Sequence, residues 1–273
     1  MIRFVLCDVD GTLAGSITAL VTPRVRESIH RTIEAGIGFG FATGRCPLSL
    51  HTIVRDLDLD EAWAICSTGS VIARYSKSLP SGVEIVRQDF FNPGEAVHTI
   101  LNAIPGGLVA SWQGDHYLSS EPFPSGELTN EKIVSLDEIL KEKSTKVILR
   151  WPDMGPDDLL PIILNIELPP GIDSVMWKEE AWLDLMPSGV SKGSAAIELA
   201  SILDLNQSEI LAIGDDYNDI ELLRWAGQGV AMAEAPAPVL DIADEVTGSF
   251  DEDGVAMVLD RLIDHRNEVG TNH

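Results

Sequence analysis

The chain has 273 residues, 45% of them hydrophobic and 23% charged, which suffices for one or two packed domains and excludes a disordered, collagen-like or disulfide-stapled protein. Asp and Glu number 43 against 19 Lys and Arg, a net charge of −24, so neither nucleic acid nor an anionic membrane surface is expected as a partner. Three cysteines without a CxxC pair point to a reducing, cytoplasmic compartment, and no run approaches the roughly 20 apolar residues of a membrane span.

Phe4-Val5-Leu6-Cys7 reads as a buried strand that ends in the loop Asp8-Val9-Asp10-Gly11-Thr12. Thr22-Pro23 opens a helix that Gly36 closes. Ile37 to Ala42 is a second buried strand, broken by Thr43-Gly44-Arg45, and Pro47 to Leu57 suits a helix. Trp63 to Cys66 is a third strand, followed by a turn at Thr68-Gly69-Ser70. Strands alternating with helices predict right-handed crossovers and a parallel sheet.

The middle of the chain changes character. Val83 to Phe90 alternates as a half-exposed strand, and Pro93 to Ile104 is an amphipathic helix. Leu108 to Trp112 and His116 to Ser119 flank the turn Gln113-Gly114-Asp115. Lys146 to Trp151 is a strand and Pro156 to Ile166 a helix. Ser174 to Trp177 and Ala181 to Leu185 form a hairpin around Glu179-Glu180. This α+β stretch holds Trp112, Trp151, Trp177 and Trp182, expected mainly to fill its core. Trp112 and His116, beside a turn, are the better candidates for substrate contact.

After Pro187 the alternation returns. Helices are predicted at Ser191–Leu203, Asp219–Ala226, Ala237–Ala243 and Gly254–Leu262, and strands at Ile210–Ile213 and Gly229–Met232. The tail from His265 to His273 is polar and expected to fray.

Four polar features each follow a predicted strand or open a helix: Asp8/Asp10/Thr12, Thr43, Lys192 and Gly214-Asp215-Asp216-Tyr217-Asn218-Asp219. In open parallel sheets, ligands bind beyond the carboxyl ends of the strands, so these could meet at one edge. Four converging carboxylates cost several kcal/mol unless a cation compensates. A Mg²⁺ ion held by hard oxygen ligands beside a phosphate would do so, with the Lys192 ammonium and the Thr43 hydroxyl completing an array for phosphoryl oxygens. Asp8 and Asp10, two apart in an extended loop, share one side. One can attack phosphorus while the other handles the leaving-group proton, giving covalent catalysis through an aspartyl phosphate. Each feature alone has a plainer reading: a capping or calcium loop, a strand-end hydroxyl, a solvated lysine, an Asp/Asn turn.

Taken together, the motifs resemble the haloacid dehalogenase superfamily of phosphohydrolases, and most of all its Cof-type branch. The matching runs are Asp8-Val9-Asp10-Gly11-Thr12-Leu13, Ala42-Thr43-Gly44-Arg45, Gly189-Val190-Ser191-Lys192-Gly193 and Gly214 to Asp219. A weaker match is Val230-Ala231-Met232 with Asp253-Gly254-Val255. About 160 residues in two segments carry the resemblance; the middle matches in layout only. The resemblance implies that Asp8 is the nucleophile and a metal ligand. Asp10 would be the general acid/base, with its backbone carbonyl on the metal. Asp215 would be the other carboxylate ligand, supported by Asp219. Thr43, Gly44, Arg45, Lys192 and Asn218 would hold the phosphorylated substrate, Arg45 from the site rim, with a structural role as its alternative. Mg²⁺ is the implied cofactor and a small phosphorylated metabolite, a sugar phosphate, the implied substrate. A phosphomannomutase-like transfer and a catalytically inactive binding module are the alternatives, and the intact Asp8/Asp10 pair speaks against the second.

Spacing locates an insertion independently of the family. Thr43 follows Asp8 by 35 positions, room for one crossover, but Lys192 follows Thr43 by 149. The excess of about 100 residues is placed at 81–187, leaving 1–80 and 188–273 as core. By resemblance the fold is a Rossmann-like doubly wound parallel sheet with an inserted α+β cap of class II, subtype B, which would close over the site and exclude water. Two positions depart from the family's pattern: Thr68-Gly69 stands where Asn-Gly is usual, and Ala233-Glu234-Ala235 where Gly-Asn-Ala is usual. Both bear on substrate preference rather than on the chemistry.

Overall fold

The computed structural model describes residues 1–15, 20–114, 116–128, 130–177 and 180–270, with side chains up to 266. The chain divides into two compact units, one of 1–87 with 191–273 and one of 88–190.

In chain order the first segment contributes β1 (Phe4–Cys7), α1 (Pro23–Glu34), β2 (Gly38–Ala42), α2 (Pro47–Asp56), β3 (Glu61–Cys66), β4 (Val71–Ser76) and β5 (Val83–Gln88). The second unit contains α3 (Gly94–Ala103), β6 (Leu108–Trp112), β7 (Tyr117–Ser119), β8 (Glu131–Ile133), α4 (Leu136–Lys141), β9 (Val147–Arg150), α5 (Pro156–Ile163), β10 (Ile172–Met176) and β11 (Trp182–Pro187). The chain then returns to the first unit with α6 (Lys192–Ile202), β12 (Ile210–Gly214), α7 (Ile220–Trp225), β13 (Gln228–Ala231), α8 (Ala237–Leu240), β14 (Glu245–Val246) and α9 (Gly254–Gly270).

The first unit is built on an eight-stranded sheet in the order β14-β13-β12-β1-β2-β3-β4-β5. From β14 to β3 the strands pair in parallel, and β4 turns back antiparallel to β3. β1 lies at the centre of the parallel part, and its four residues are all buried, as a strand covered on both faces requires. The helices start where the sequence places caps. The Thr22 side chain accepts from the Val25 N–H ahead of Pro23, and Ser191 forms a reciprocal capping box with Ser194 at the start of α6. Ala195, Ala196, Leu199 and Ala200 of α6 join Leu6, Ile65, Ala212 and Leu222 in the core of this unit.

The second unit has a six-stranded sheet, β10-β11-β9-β6-β7-β8. Val109, Val147, Leu149, Leu183 and Leu185 share a cluster with Ala96, Val97 and Ile100 of α3, Ile139 of α4 and Leu159 of α5, so one sheet face is covered by helices. The other face carries a buried ion pair: Lys146 Nζ lies 3.0 Å from Asp184 Oδ2, and the Trp182 indole donates to Asp184 Oδ1 at 2.8 Å. Trp112, Trp151 and Trp182 are buried, which suits a core role.

Several sequence expectations are corrected. The boundary placed at residue 81 falls too early, because β5 pairs into the eight-stranded sheet beside β4; the second boundary lies three residues later than 187. β4, β8, α4 and β14 went unpredicted. α5 stops at Ile163 rather than 166, and α8 at Leu240 rather than 243. The helix predicted to end at Leu262 runs further, since α9 continues to Gly270 through the first part of the polar tail, and 271–273 lie outside the described residues. The predicted turns at 113–115 and 179–180 each include a residue outside the described set, Asp115 and Glu179.

Candidate active site

The polar features gather at the carboxyl edge of the parallel strands. Asp8 follows β1, Thr43 follows β2 and Asp215 follows β12. The Asp8 backbone N–H donates to the Ile213 carbonyl at 2.8 Å, which continues the β1–β12 ladder to the carboxyl edge. Lys192, the first residue of α6, projects a fully buried ammonium among them. It donates to Asp8 Oδ1 at 2.6 Å, to Asp219 Oδ1 at 2.7 Å and to Asn218 Oδ1 at 2.9 Å.

Asp219 is held from two directions. Its Oδ1 takes the ammonium, and its Oδ2 accepts from the backbone N–H groups of Asp215 and Asp216, each at 3.1 Å. This closes the turn after β12 and aims Asp215. Thr12 Oγ1 donates to Asp215 Oδ1 at 2.8 Å, which ties the loop after β1 to the loop after β12. Gly11 permits that approach: its φ is +86°, and a Cβ there would stand 2.7 Å from Asp215 Oδ2.

The electrostatics follow from burial. Asp8, Asp215 and Asp219 each offer an oxygen within 4.8 Å of the others, and all three are buried. Burial pushes the Asp8 carboxyl well above the usual carboxylate range; Asp219 and Asp215 push the same way, while Lys192 pulls down without prevailing. Burial works against the Lys192 ammonium, yet Asp219 and Asp8 outweigh it and hold the lysine charged. Three carboxylates against one ammonium leave the cluster short of positive charge. The donors are hard oxygens around a compact space, the set that suits Mg²⁺. Asp8 and Asp215 fit as ligands. Asp219 suits a supporting role, since both its oxygens are engaged by Lys192 and the backbone.

Asp10 stands apart from the carboxylate cluster. Arg45 Nε donates to its Oδ1 and Oδ2 at 3.1 and 2.9 Å, and Arg45 Nη2 donates to Oδ1 at 2.5 Å. This two-pronged clamp is part-buried. The Arg45 N–H in turn donates to Thr43 Oγ1 at 3.1 Å, so the buried Thr43, Gly44 and Arg45 form one short loop facing Asp10.

A family model of haloacid dehalogenase-like hydrolases matches residues 5–259. The chain belongs to that family. It is an enzyme of the hydrolase class, and the match runs through the middle of the chain, where the motifs alone had shown only a layout. The phosphoglycolate phosphatase of Methanoculleus marisnigri (strain ATCC 35101 / DSM 1498 / JR1) is 28% identical over 257 residues, covering 93% of this chain and 94% of its own. The 5-amino-6-(5-phospho-D-ribitylamino)uracil phosphatase YwtE of Bacillus subtilis (strain 168) is 26% identical over 304 residues, covering 96% and 98%. Among solved structures, a haloacid dehalogenase-like hydrolase from B. subtilis superposes with a TM-score of 0.80 at 22% identity, over 96% of this chain and 100% of that one, a likeness of fold.

Within this hydrolase, the structure brings the buried Asp8, Lys192, Asp219 and Asp215 together with the half-buried Asn218, and gathers the half-buried Asp10 and Arg45 with the buried Thr43. The motifs did not reveal that Arg45 grips Asp10 or that Thr12 grips Asp215. An arginine two positions past a strand-end threonine was the available signal for the first, but side-chain direction in loops is not written in spacing. Trp112, a candidate for substrate contact, lies buried in β6, and its Nε1 meets no hydrogen-bond partner among the described residues.

Proposed function

We propose that this hydrolase is a Mg²⁺-dependent phosphatase of a small phosphorylated metabolite, a sugar phosphate, working through an aspartyl phosphate. The convergence of the Asp8, Asp215 and Asp219 carboxylates around the Lys192 ammonium carries this reading. Asp8 and Asp215, with the Asp10 carbonyl, would hold the metal, which when bound supplies positive charge to the phosphoryl oxygens and to the Asp8 carboxylate.

Asp8 attacks phosphorus, and the bond to the leaving oxygen breaks. Asp10 gives that oxygen its proton, and the dephosphorylated alcohol departs. Asp10 then takes a proton from water, which attacks the phosphorus of the aspartyl phosphate, releasing inorganic phosphate and restoring Asp8. Lys192 and Thr43 hold the phosphoryl oxygens in line, Asn218 orients the ammonium, and Arg45 fixes the Asp10 carboxyl toward the leaving group.

The substrate class draws support from relatives named for phosphoglycolate and for a phosphate on a ribityl chain, both small polyfunctional phosphate esters. Three free, buried cysteines support a reducing, cytoplasmic setting.

The test is phosphate release by the purified protein, with and without Mg²⁺, across phosphorylated sugars, sugar alcohols, nucleotides and an aryl phosphate. Mg²⁺-dependent release concentrated in the sugar phosphates supports the proposal. Release that ignores chelation, or isomerised sugar phosphate without free phosphate, overturns it.

A further inference from the structure

The parallel strands of the eight-stranded sheet carry a concave feature at their opposite, amino end. A cavity of about 360 Å³ is lined by Ile2, Ile37, Gln228, Leu262, His265 and Arg266, with Met1 beside them. Ile2 precedes β1, Ile37 precedes β2 and Gln228 opens β13, so the cavity lies at the amino ends of parallel strands whose carboxyl ends carry Asp8 and Thr43. α9 forms its other wall through Leu262, His265 and Arg266. It therefore shares no wall with the catalytic group.

Three properties of this cavity point to one kind of occupant. Its volume lies within the range of small-molecule sites, roughly 300–1,000 Å³. Its body is apolar, from Ile2, Ile37 and Leu262. Its charge is unusual for this chain: although acids outnumber bases 43 to 19, no carboxylate lines it among the described residues, and its ionisable side chains are His265 and Arg266. Arg266 Nη1 is buried and meets no hydrogen-bond partner among the described residues. A buried guanidinium N–H left unpaired is costly, and a planar anion relieves that cost.

We infer that this cavity is a second, non-catalytic binding site for a small molecule with an apolar body and one anionic head group, the head seated on Arg266 and the body on Ile2, Ile37 and Leu262. This assignment is independent of the phosphatase reading, because none of its residues belongs to the catalytic group.

The experiment titrates the full-length protein with octanoate, which has an apolar tail and one carboxylate, by isothermal titration calorimetry. One site per chain is expected, weakened about tenfold or more for 1-octanol, which lacks the anion, and by Arg266→Gln. Leu262→Trp, which fills the cavity, is expected to abolish binding, with circular dichroism checking that it folds. Asp8→Asn and saturating inorganic phosphate with Mg²⁺ are expected to leave octanoate binding unchanged. No octanoate heat at millimolar concentration overturns the inference. So does equal binding of octanol, an unaffected Arg266→Gln variant, or competition by phosphate.

Discussion

Lys192 Nζ stands 2.6 Å from Asp8 Oδ1, although 184 positions separate them in the chain. The contact joins the two core segments that flank the inserted unit. Two local features produce it. The Ser191–Ser194 capping box starts α6 at Lys192, and Gly69 (φ +111°) brings the turn after β3 against the Ser191 carbonyl, where a Cβ would come within 2.2 Å of the oxygen. The ammonium is thereby fixed where Asp8 and Asp219 need it.

Removing that ammonium should cost more than an ordinary surface change. Lys192→Met leaves Asp8 and Asp219 buried without their cation, a loss of about 3–5 kcal/mol for a broken buried ion pair. Urea unfolding without metal measures it, and Mg²⁺ should restore part of the loss by supplying positive charge. A loss within the noise of the melt would mean that the ion pair contributes nothing to the fold.

Asp8→Asn separates chemistry from stability. If Asp8 is the nucleophile, as proposed, turnover should fall by about three orders of magnitude or more, on the scale seen when a covalent catalyst is removed. Metal-free stability should move the other way. The folded Asp8 carboxyl titrates well above its unfolded value, so between those two values the native state binds more protons, and stability falls as pH rises. Substitution by Asn removes that penalty, while Lys192 keeps Asp219 and Asn218. The variant should therefore melt above the wild type at pH 7 without metal, with the gain vanishing toward pH 4. A variant that melts lower at pH 7 contradicts the electrostatic account.

Much of this architecture was legible because each chemical residue stands directly after an apolar run: Asp8 after Phe4–Cys7, Thr43 after Phe39–Ala42, Asp215 after Ile210–Gly214. Side chains at the ends of parallel strands share an edge whatever the loops do. What escaped was of two kinds. β5 is mostly exposed and sits at the sheet edge, so its pattern suits either unit, and only its pairing assigns it. The Arg45–Asp10 clamp joins two loops, and loop side chains carry no periodicity from which direction can be read.

Metal binding should release protons. Asp8 holds its proton to unusually high pH in the metal-free site, and a ligating carboxylate must give it up. Affinity for Mg²⁺ should rise with pH through the range where Asp8 titrates. Calorimetry in two buffers of different ionisation enthalpy counts the protons released. At Mg²⁺ about 100 times Kd, the fold should gain about 2.7 kcal/mol, and EDTA should remove both this gain and the activity. Zero proton release across that pH range would contradict the raised Asp8 carboxyl.

Arg45→Lys tests whether the arginine positions Asp10 or grips substrate. The guanidinium reaches both Asp10 oxygens, which a lysine point charge cannot reproduce. If its work is to aim the acid, kcat should fall about 10- to 100-fold with KM nearly unchanged. A rise in KM alone would place Arg45 on the substrate instead.

Thr68 carries the clearest backbone strain near the site. Its φ is +56° and ψ 28°, in the left-handed region that a β-branched residue resists, at a cost of roughly 1–2 kcal/mol. The turn keeps it there because its bonds brace the loop after β2: the Thr68 N–H donates to the Thr43 carbonyl at 3.1 Å, and the Ser67 N–H donates to the Arg45 carbonyl at 2.8 Å. Asn enters this region readily and is the usual residue here in the branch of the family that the chain resembles. Thr68→Asn should therefore stabilise by about 1 kcal/mol, a rise of about 2–4 °C in Tm, without disturbing either bond. Thr68→Val, which stays β-branched, should bring no such rise. Thermal melts of the two variants beside the wild type decide it. An Asn variant that melts no higher than wild type would show that the turn holds Thr68 at no cost.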